Sequence, residues 1–304
     1  MKLLISGGTG LIGQEIIKLS LIKGVNVNVL TRNKSLSSKI EGLKYFYWNP
    51  SENIINEECF KGVDVVINLS GFNVFNYWSK RNKLKIINSR VKSTEFILAE
   101  INKRNIKLKS FISASGIAAY KSSYSNSYNE NESVSDKNSF INQVVVNWES
   151  KVLEYKKIMP STSFSIMRIG LVLSKEMGIY NISNKLARFY ILSPIGDGKQ
   201  WQSWIHVSDV AAAFLRSSQE AWNGTYNLVS PNPVTQKVMF ESIAKHVNRR
   251  IIFPNIPLKL VNLFLGEVTE LMRSSYKVNP QMLIEKNFKY NFATLDQALT
   301  NLTG

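Results

Sequence analysis

Through the first two-thirds of this 304-residue chain, apolar runs of strand length alternate with helical patterns, and a glycine-rich turn joins the first run to the first helix. Alternation of that kind requires crossover connections, and crossovers build parallel sheets. The sequence therefore predicts an α/β protein: a Rossmann-type doubly wound parallel sheet with a smaller C-terminal lobe. Residues 1–234 are expected to form the sheet domain, with part of the second lobe inserted at about 175–205. Residues 235–304 are expected to form a small helical domain, because helical patterns take over after Thr235 among prolines at 254, 257 and 280.

The strand candidates, in order, are KLLIS (2–6), VNVNVLT (25–31), LKYFYW (43–48), DVVINLS (64–70), LKSFISAS (108–115) and TSFSIMRIGLVLS (162–174). Each is rich in the β-branched and aromatic residues that suit a pleated, buried surface. Helices fit between most of them, at roughly 11–23, 79–104 and 141–158. In the last, Ile141, Val144, Val145, Trp148, Val152 and Tyr155 share one helical face, and Glu149, Lys151, Glu154 and Lys156 lie largely off it. The segment KSSYSNSYNENESVSDKNS (121–139) is almost free of aliphatic side chains. It is expected to be a mobile flap and not a folded element, since it buries too little to offset ordering.

Composition bounds the partners. The single cysteine, Cys59, excludes a disulfide within the chain. No apolar run approaches the ~20 residues that span a bilayer, so no membrane partner is expected and the protein is expected to be cytoplasmic. The net charge of +16 comes from basic residues scattered along the sequence, which reads as solvated faces and not as a nucleic-acid stripe. The densest basic stretch, WSKRNKLKIINSRVKSTEF, reads as one long helix with an apolar side.

The strongest functional signal is ISGGTGLIG, which follows a strand and opens a helix. Gly7, Gly10 and Gly13, with Leu11 and Ile12 between them, fit a dinucleotide fingerprint in the context that the fingerprint requires. Glycines there allow a tight turn and close backbone approach, and the helix N-terminus meets the pyrophosphate charge. An NAD site usually ends the second strand with an acid that holds the ribose hydroxyl. Here the strand ends Leu30-Thr31-Arg32-Asn33. Arg32 offers a planar cation for a 2′-phosphate and Thr31 a hydroxyl, so NADP(H) is the expected cofactor.

These residues also resemble a family. GGTGLIG with Thr31-Arg32, DVVINLSG (64–71), SFISAS (110–115) and MRIGLVLS (167–174) resemble the extended short-chain dehydrogenase/reductase superfamily. Trp48-Asn49-Pro50, Ser89-Arg90, Trp148-Glu149, the run Gly196 to Gln200, Ser203 to His206 with Asp209, Leu265-Gly266-Glu267 and Val278-Asn279-Pro280 resemble its atypical branch, labelled epimerase family protein. The resemblance covers nearly the whole chain. It implies an NADP-binding, epimerase-like domain with a small C-terminal domain of unknown function. It also implies cofactor contacts at Leu69, Ser70, Arg90 and Val172.

Typical members of the superfamily carry Tyr-x-x-x-Lys on the helix after the fifth strand. Those places align with Val144 and Trp148, and the atypical branch lacks the pair as well. Tyr120 is then the candidate proton donor, although Ala119 and Lys121 depart from the branch's usual neighbours. With no lysine beside it, a phenol keeps a pKa near ~10, which favours reduction over oxidation. Ser113, Ser115, Gln200, Trp204, His206 and Asp209 complete the polar groups expected nearby. His206 is expected to be a packed structural histidine and Asp209 a helix cap. The function expected is an NADP(H)-binding oxidoreductase or epimerase-like protein acting on a small polar, possibly sugar-like, substrate. The alternative is a non-catalytic NADPH-binding regulatory or sensing module.

Overall fold

The computed structural model describes residues 1–132 and 139–304. The chain opens with β1 (Lys2–Ser6), α1 (Leu11–Ile22), β2 (Asn26–Thr31), β3 (Leu43–Asn49), β4 (Ile54–Ile55) and β5 (Val65–Asn68). It continues through α2 (Lys80–Asn88), α3 (Val91–Lys103), β6 (Ser110–Gly116), β7 (Ser127–Tyr128), α4 (Phe140–Ile158), β8 (Ser163–Ile169) and β9 (Leu171–Leu173). Then come α5 (Ile179–Arg188), β10 (Trp201–Gln202), β11 (Trp204–His206), α6 (Val207–Glu220), β12 (Gly224–Leu228) and β13 (Val234–Thr235). The chain closes with α7 (Gln236–His246), α8 (Leu258–Leu265), α9 (Thr269–Arg273), β14 (Lys277–Val278), α10 (Gln281–Glu285) and α11 (Leu295–Thr303).

Among the described residues the main sheet has eight strands in the order β12-β8-β6-β5-β1-β2-β3-β4, parallel except for the β3–β4 pair. Successive connections run outward in both directions from β1 and β5, so the strand order reverses there. A crevice outside the carboxyl ends of those two strands is where such sheets bind ligands. Ile16, Ile17, Val210 and Phe214 cover one face, while Ile97, Leu98, Ile101 and Val152 cover the other. Coverage on both sides explains why β1 and β5 read as continuous apolar runs. A further core joins Tyr180, Ala187 and Leu192 to Met239, Phe240, Ile243 and Leu299, across α5, α7 and α11.

The structure corrects several element boundaries. The single helix expected over 79–104 is two, because Ser89 breaks it: its Oγ accepts from Phe72 N at 2.7 Å and donates to Ile86 O at 3.0 Å. The strand expected over 162–174 is also two. It divides at Gly170, where a Cβ would lie 2.3 Å from Ser203 O, and β9 leaves the main sheet to pair with β11. Neither edge strand was among the expected strands: β4 is only two residues long, and GTYNL of β12 is short and half polar.

The expectation of an unfolded flap fails over 121–132. Strand β7 pairs with β14, Asn279 N donates to Tyr128 O at 2.8 Å, and Tyr128 stacks on Tyr120 with centroids 5.1 Å apart. Glu130 Oε1 accepts from Asn227 N at 2.9 Å, and burial pushes this carboxyl above its ordinary pKa. The segment holds through backbone pairing with the C-terminal region, which composition does not reveal. Positions 133–138 of the expected flap lie outside the described residues.

Candidate functional site

At the β1 end of the crevice the site is made of backbone. Gly7 has φ +74, and a Cβ there would lie 2.7 Å from the carbonyl carbon and oxygen of Leu69. A Cβ on Gly13 would lie 2.5 Å from Gly7 O. The turns after β1 and β5 therefore touch, and only glycine fits between them. Gly10 N donates to Gly7 O at 3.1 Å, and Gly10 begins α1 with no side-chain cap. The first-turn N–H groups of Leu11, Ile12 and their neighbours are thus left for a ligand, and the helix dipole favours an anion. A pyrophosphate fits this cradle.

Around the cradle, Thr31 is buried at the end of β2 and its Oγ1 accepts from Asn33 N at 3.1 Å. Arg32 beside it is exposed and, among the described residues, pairs with no carboxylate. Lys34 reaches back over the Tyr47 ring at 4.7 Å. Leu69 is half-buried and Ser70 buried in the turn after β5, while Val172 lies in β9 opposite Ile205. The expected contacts Gly7, Gly10, Leu11, Ile12, Gly13, Leu69 and Ser70 are therefore brought to the β1 and β5 ends, with Thr31 and Arg32 at the adjacent β2 end.

Arg90 stands at the α2–α3 break. Its Nη1 donates to Phe72 O at 3.0 Å and Ile86 O at 3.2 Å, and its guanidinium lies 5.5 Å over the Trp148 ring. Gly71 makes room for it, since a Cβ there would sit 2.9 Å from Nη2. Burial lowers its pKa to about 10, and no carboxylate among the described residues neutralises it. Trp148 is itself fixed: its Nε1 donates to Thr94 Oγ1 at 2.9 Å, which accepts from Asn68 Nδ2 at 2.7 Å, and Asn68 Oδ1 accepts from Ser6 Oγ at 2.6 Å. One chain of hydrogen bonds thus runs from β1 through β5 and α3 to α4. Val144 and Trp148, where the Tyr and Lys of typical members align, are both buried.

Behind the β6 end lies a closed charged network. Glu149 takes two hydrogen bonds from Arg168, Nε to Oε1 at 2.9 Å and Nη2 to Oε2 at 2.8 Å. Ser115 Oγ donates to Glu149 Oε1 at 2.5 Å. Arg168 Nη1 donates to the Tyr120 hydroxyl at 2.9 Å, which donates to Asn227 Oδ1 at 2.9 Å. All five side chains are buried. Burial opposes the Arg168 charge, but the bonds and charge of Glu149 outweigh it and hold its pKa above the ordinary value. Burial likewise raises Tyr120, against the opposing influence of Arg168. Tyr120, the expected proton donor, is 1% exposed and both hydrogen bonds of its hydroxyl are internal.

The remaining candidates serve structural ties. Ser113 Oγ donates to Ala114 O at 3.0 Å. His206 caps α6 by accepting from Ser208 N, and burial lowers its pKa. Asp209 accepts from Asn291 N at 2.8 Å and Phe292 N at 3.0 Å, so it holds the C-terminal segment, a tie that its expected capping role did not include. Gln200 Nε2 donates to Ile195 O and Met272 O, and Trp204 Nε1 to Asn232 O. Among the described residues no group of three His, Cys, Asp or Glu could hold a metal.

Sequence reasoning missed the Glu149–Arg168 pair by placing Glu149 off the inward face. The signal available was Arg168 itself. A charge inside SFSIMRI, an otherwise buried strand, requires a buried partner. Similar proteins frame these findings. The profile of the NAD dependent epimerase/dehydratase family matches residues 3–228, and that of a domain of unknown function, DUF1731, matches 254–302. An epimerase family protein of Staphylococcus saprophyticus is 30% identical over 300 residues, covering 98% of both chains. Epimerase family protein YfhF of Bacillus subtilis is 29% identical over 303 residues, covering 99% of this chain and 98% of its own. The fold is also that of human epimerase family protein SDR39U1, solved with NADPH: TM-score 0.87, 24% identity, covering 100% of this chain and 99% of that one.

Proposed function

The chain belongs to the NAD dependent epimerase/dehydratase family, and on that premise we propose that it binds NADP(H) and acts as an oxidoreductase or epimerase on a small polar substrate. The observation that carries the cofactor reading is the uncapped α1 N-terminus behind glycines that admit no Cβ, with an exposed arginine at the β2 end that pairs with no carboxylate among the described residues. Gly7, Gly10 and Gly13, with Leu11 and Ile12, would hold the pyrophosphate. Thr31 and Arg32 would hold the 2′-phosphate, and Leu69, Ser70 and Val172 would flank the rest. The NADPH in the SDR39U1 structure supports the choice. When bound, NADP(H) supplies hydride exchange at its nicotinamide ring. On this reading the substrate would sit between the ends of β5 and β6 and a smaller lobe formed by 235–304 together with about 175–205.

The residues of this chain supply orientation and proton handling. Arg90, desolvated and without a carboxylate, would hold an anionic or carbonyl group, with its plane kept in place by Trp148. Ser115 commits its proton to Glu149, so Ser115 Oγ presents lone pairs to a substrate hydroxyl. A proton taken at Ser115 Oγ can be matched by one passed to Glu149 Oε1. We place this role at Ser115 and not at Tyr120, because the Tyr120 hydroxyl is used on both sides.

That same occupied hydroxyl favours a second reading, an NADPH-binding regulatory or sensing module without turnover. C4-deuterated NADPH and a carbonyl panel separate the two. The enzyme reading expects deuterium transfer that Ser115→Ala suppresses and Tyr120→Phe leaves largely intact. Tight NADPH binding with no transfer to any carbonyl would favour the sensing module.

A further inference from the structure

Among the described residues, the three most exposed large apolar side chains are Leu263 at 77%, Phe189 at 76% and Phe264 at 74%. They belong to segments that fold together. Residues 193–196 run against 253–256, where Ile256 N donates to Pro194 O at 2.8 Å and Gly196 N to Ile256 O at 2.9 Å. Helix α8 follows directly, and Gly266 at its end packs on the exposed ring of Tyr77. Lys83 of α2 pairs with Glu267 next to it. On α8, Leu260, Leu263 and Phe264 form an outward stripe at i, i+3 and i+4, while Val261 turns in. An apolar stripe so open to water marks an interaction surface.

The charge of the same segments is one-sided. Residues 74–87, 185–196 and 249–267 hold nine Lys and Arg and a single acid, Glu267, which makes up half of the chain's net +16. Lys80, Arg81, Lys185, Arg188, Arg249, Arg250 and Lys259 are all exposed. Leucine and phenylalanine ringed by cations, with the single acid Glu267 already paired to Lys83, is the pattern of an interfacial segment that enters the headgroup region of an anionic bilayer.

We propose that this face, α8 with the 74–87 and 185–196 segments, docks on an anionic lipid surface. A second copy of the chain would bring two such positive faces together. A nucleic acid would satisfy the cations but leave the aliphatic stripe of Leu260 and Leu263 in water. The proposal concerns surface attachment: no helix among the described residues is long and apolar enough to cross a membrane. It is also independent of the cofactor reading.

The test is sedimentation of the full chain with vesicles of phosphatidylcholine alone or mixed with phosphatidylglycerol, at low and high salt. Binding is expected with phosphatidylglycerol vesicles, weaker by about tenfold or more with phosphatidylcholine or at high salt. Leu263→Glu with Phe264→Glu should lower it by roughly tenfold at an unchanged melting temperature, since both side chains are already in water. Failure to sediment with phosphatidylglycerol, equal binding to both vesicles, or an unaffected double variant would overturn the proposal. So would self-association through this face in ultracentrifugation, or capture of a single-stranded oligonucleotide in preference to vesicles.

Discussion

The two ends of the crevice are built differently. At the β1 end the shaping atoms are backbone, within the seven residues from Gly7 to Gly13 and the Leu69 carbonyl that meets them. At the β6 end the buried side chains of Tyr120, Glu149, Arg168 and Asn227 close on one another, and Ser115 joins them through its single bond to Glu149. The first has no room for an added atom. The second has no tolerance for a missing partner, because a buried charge stripped of its counter-ion keeps its full desolvation penalty.

The sharpest break of the cradle is Gly13→Val, whose branched side chain would drive into Gly7 O and Gly8. NADPH affinity should fall about a hundredfold or more in calorimetric titration, the equivalent of about 2.7 kcal/mol. At the other end, Glu149→Leu should destabilise the fold by about 3–5 kcal/mol in denaturant titration, by leaving Arg168 buried and unpaired. Adding Arg168→Met should restore most of that loss. A silent Glu149→Leu would mean that the network is not the closed unit described.

Smaller effects sharpen the comparison. Tyr120→Phe should cost about 1.5–3 kcal/mol of stability, less than Glu149→Leu because no ion pair is broken, and leave NADPH binding unchanged, since it removes hydrogen bonds inside the network and none in the cradle. A pH series adds a second view. Burial raises Tyr120 and Tyr290 in the folded chain. Unfolded tyrosines ionise near pH ~10 while the folded ones keep their protons, so their contribution is present below that pH and is lost as pH rises through it. Thermal melting should therefore drop above about pH 10, and less steeply in Tyr120→Phe.

Most of the cradle was legible in the sequence because its determinants are contiguous: a strand, three spaced glycines and a helix within the first 23 residues. The sheet was legible for the same reason, strand by strand, apart from its two edge strands, β4 and β12. The network was not, since its members lie as far apart as residues 115 and 227 and meet only once β6, α4, β8 and β12 are assembled. The polar segment 121–132 was misread because its order comes from pairing with β14, some 150 residues away, and not from its own composition. The exposed basic and apolar face around α8 was hidden likewise, as three separate segments contribute to it.

The central claim is that the cradle, with Arg32 at its rim, selects NADP(H). Titration of the full chain and of Arg32→Ala with NADPH and NADH tests it directly. The account predicts that wild type binds NADPH at least about tenfold more tightly than NADH, and that Arg32→Ala loses about 1.5–3 kcal/mol for NADPH alone. Equal affinities in the wild type, or an Arg32→Ala variant that still prefers NADPH by the same margin, would contradict it.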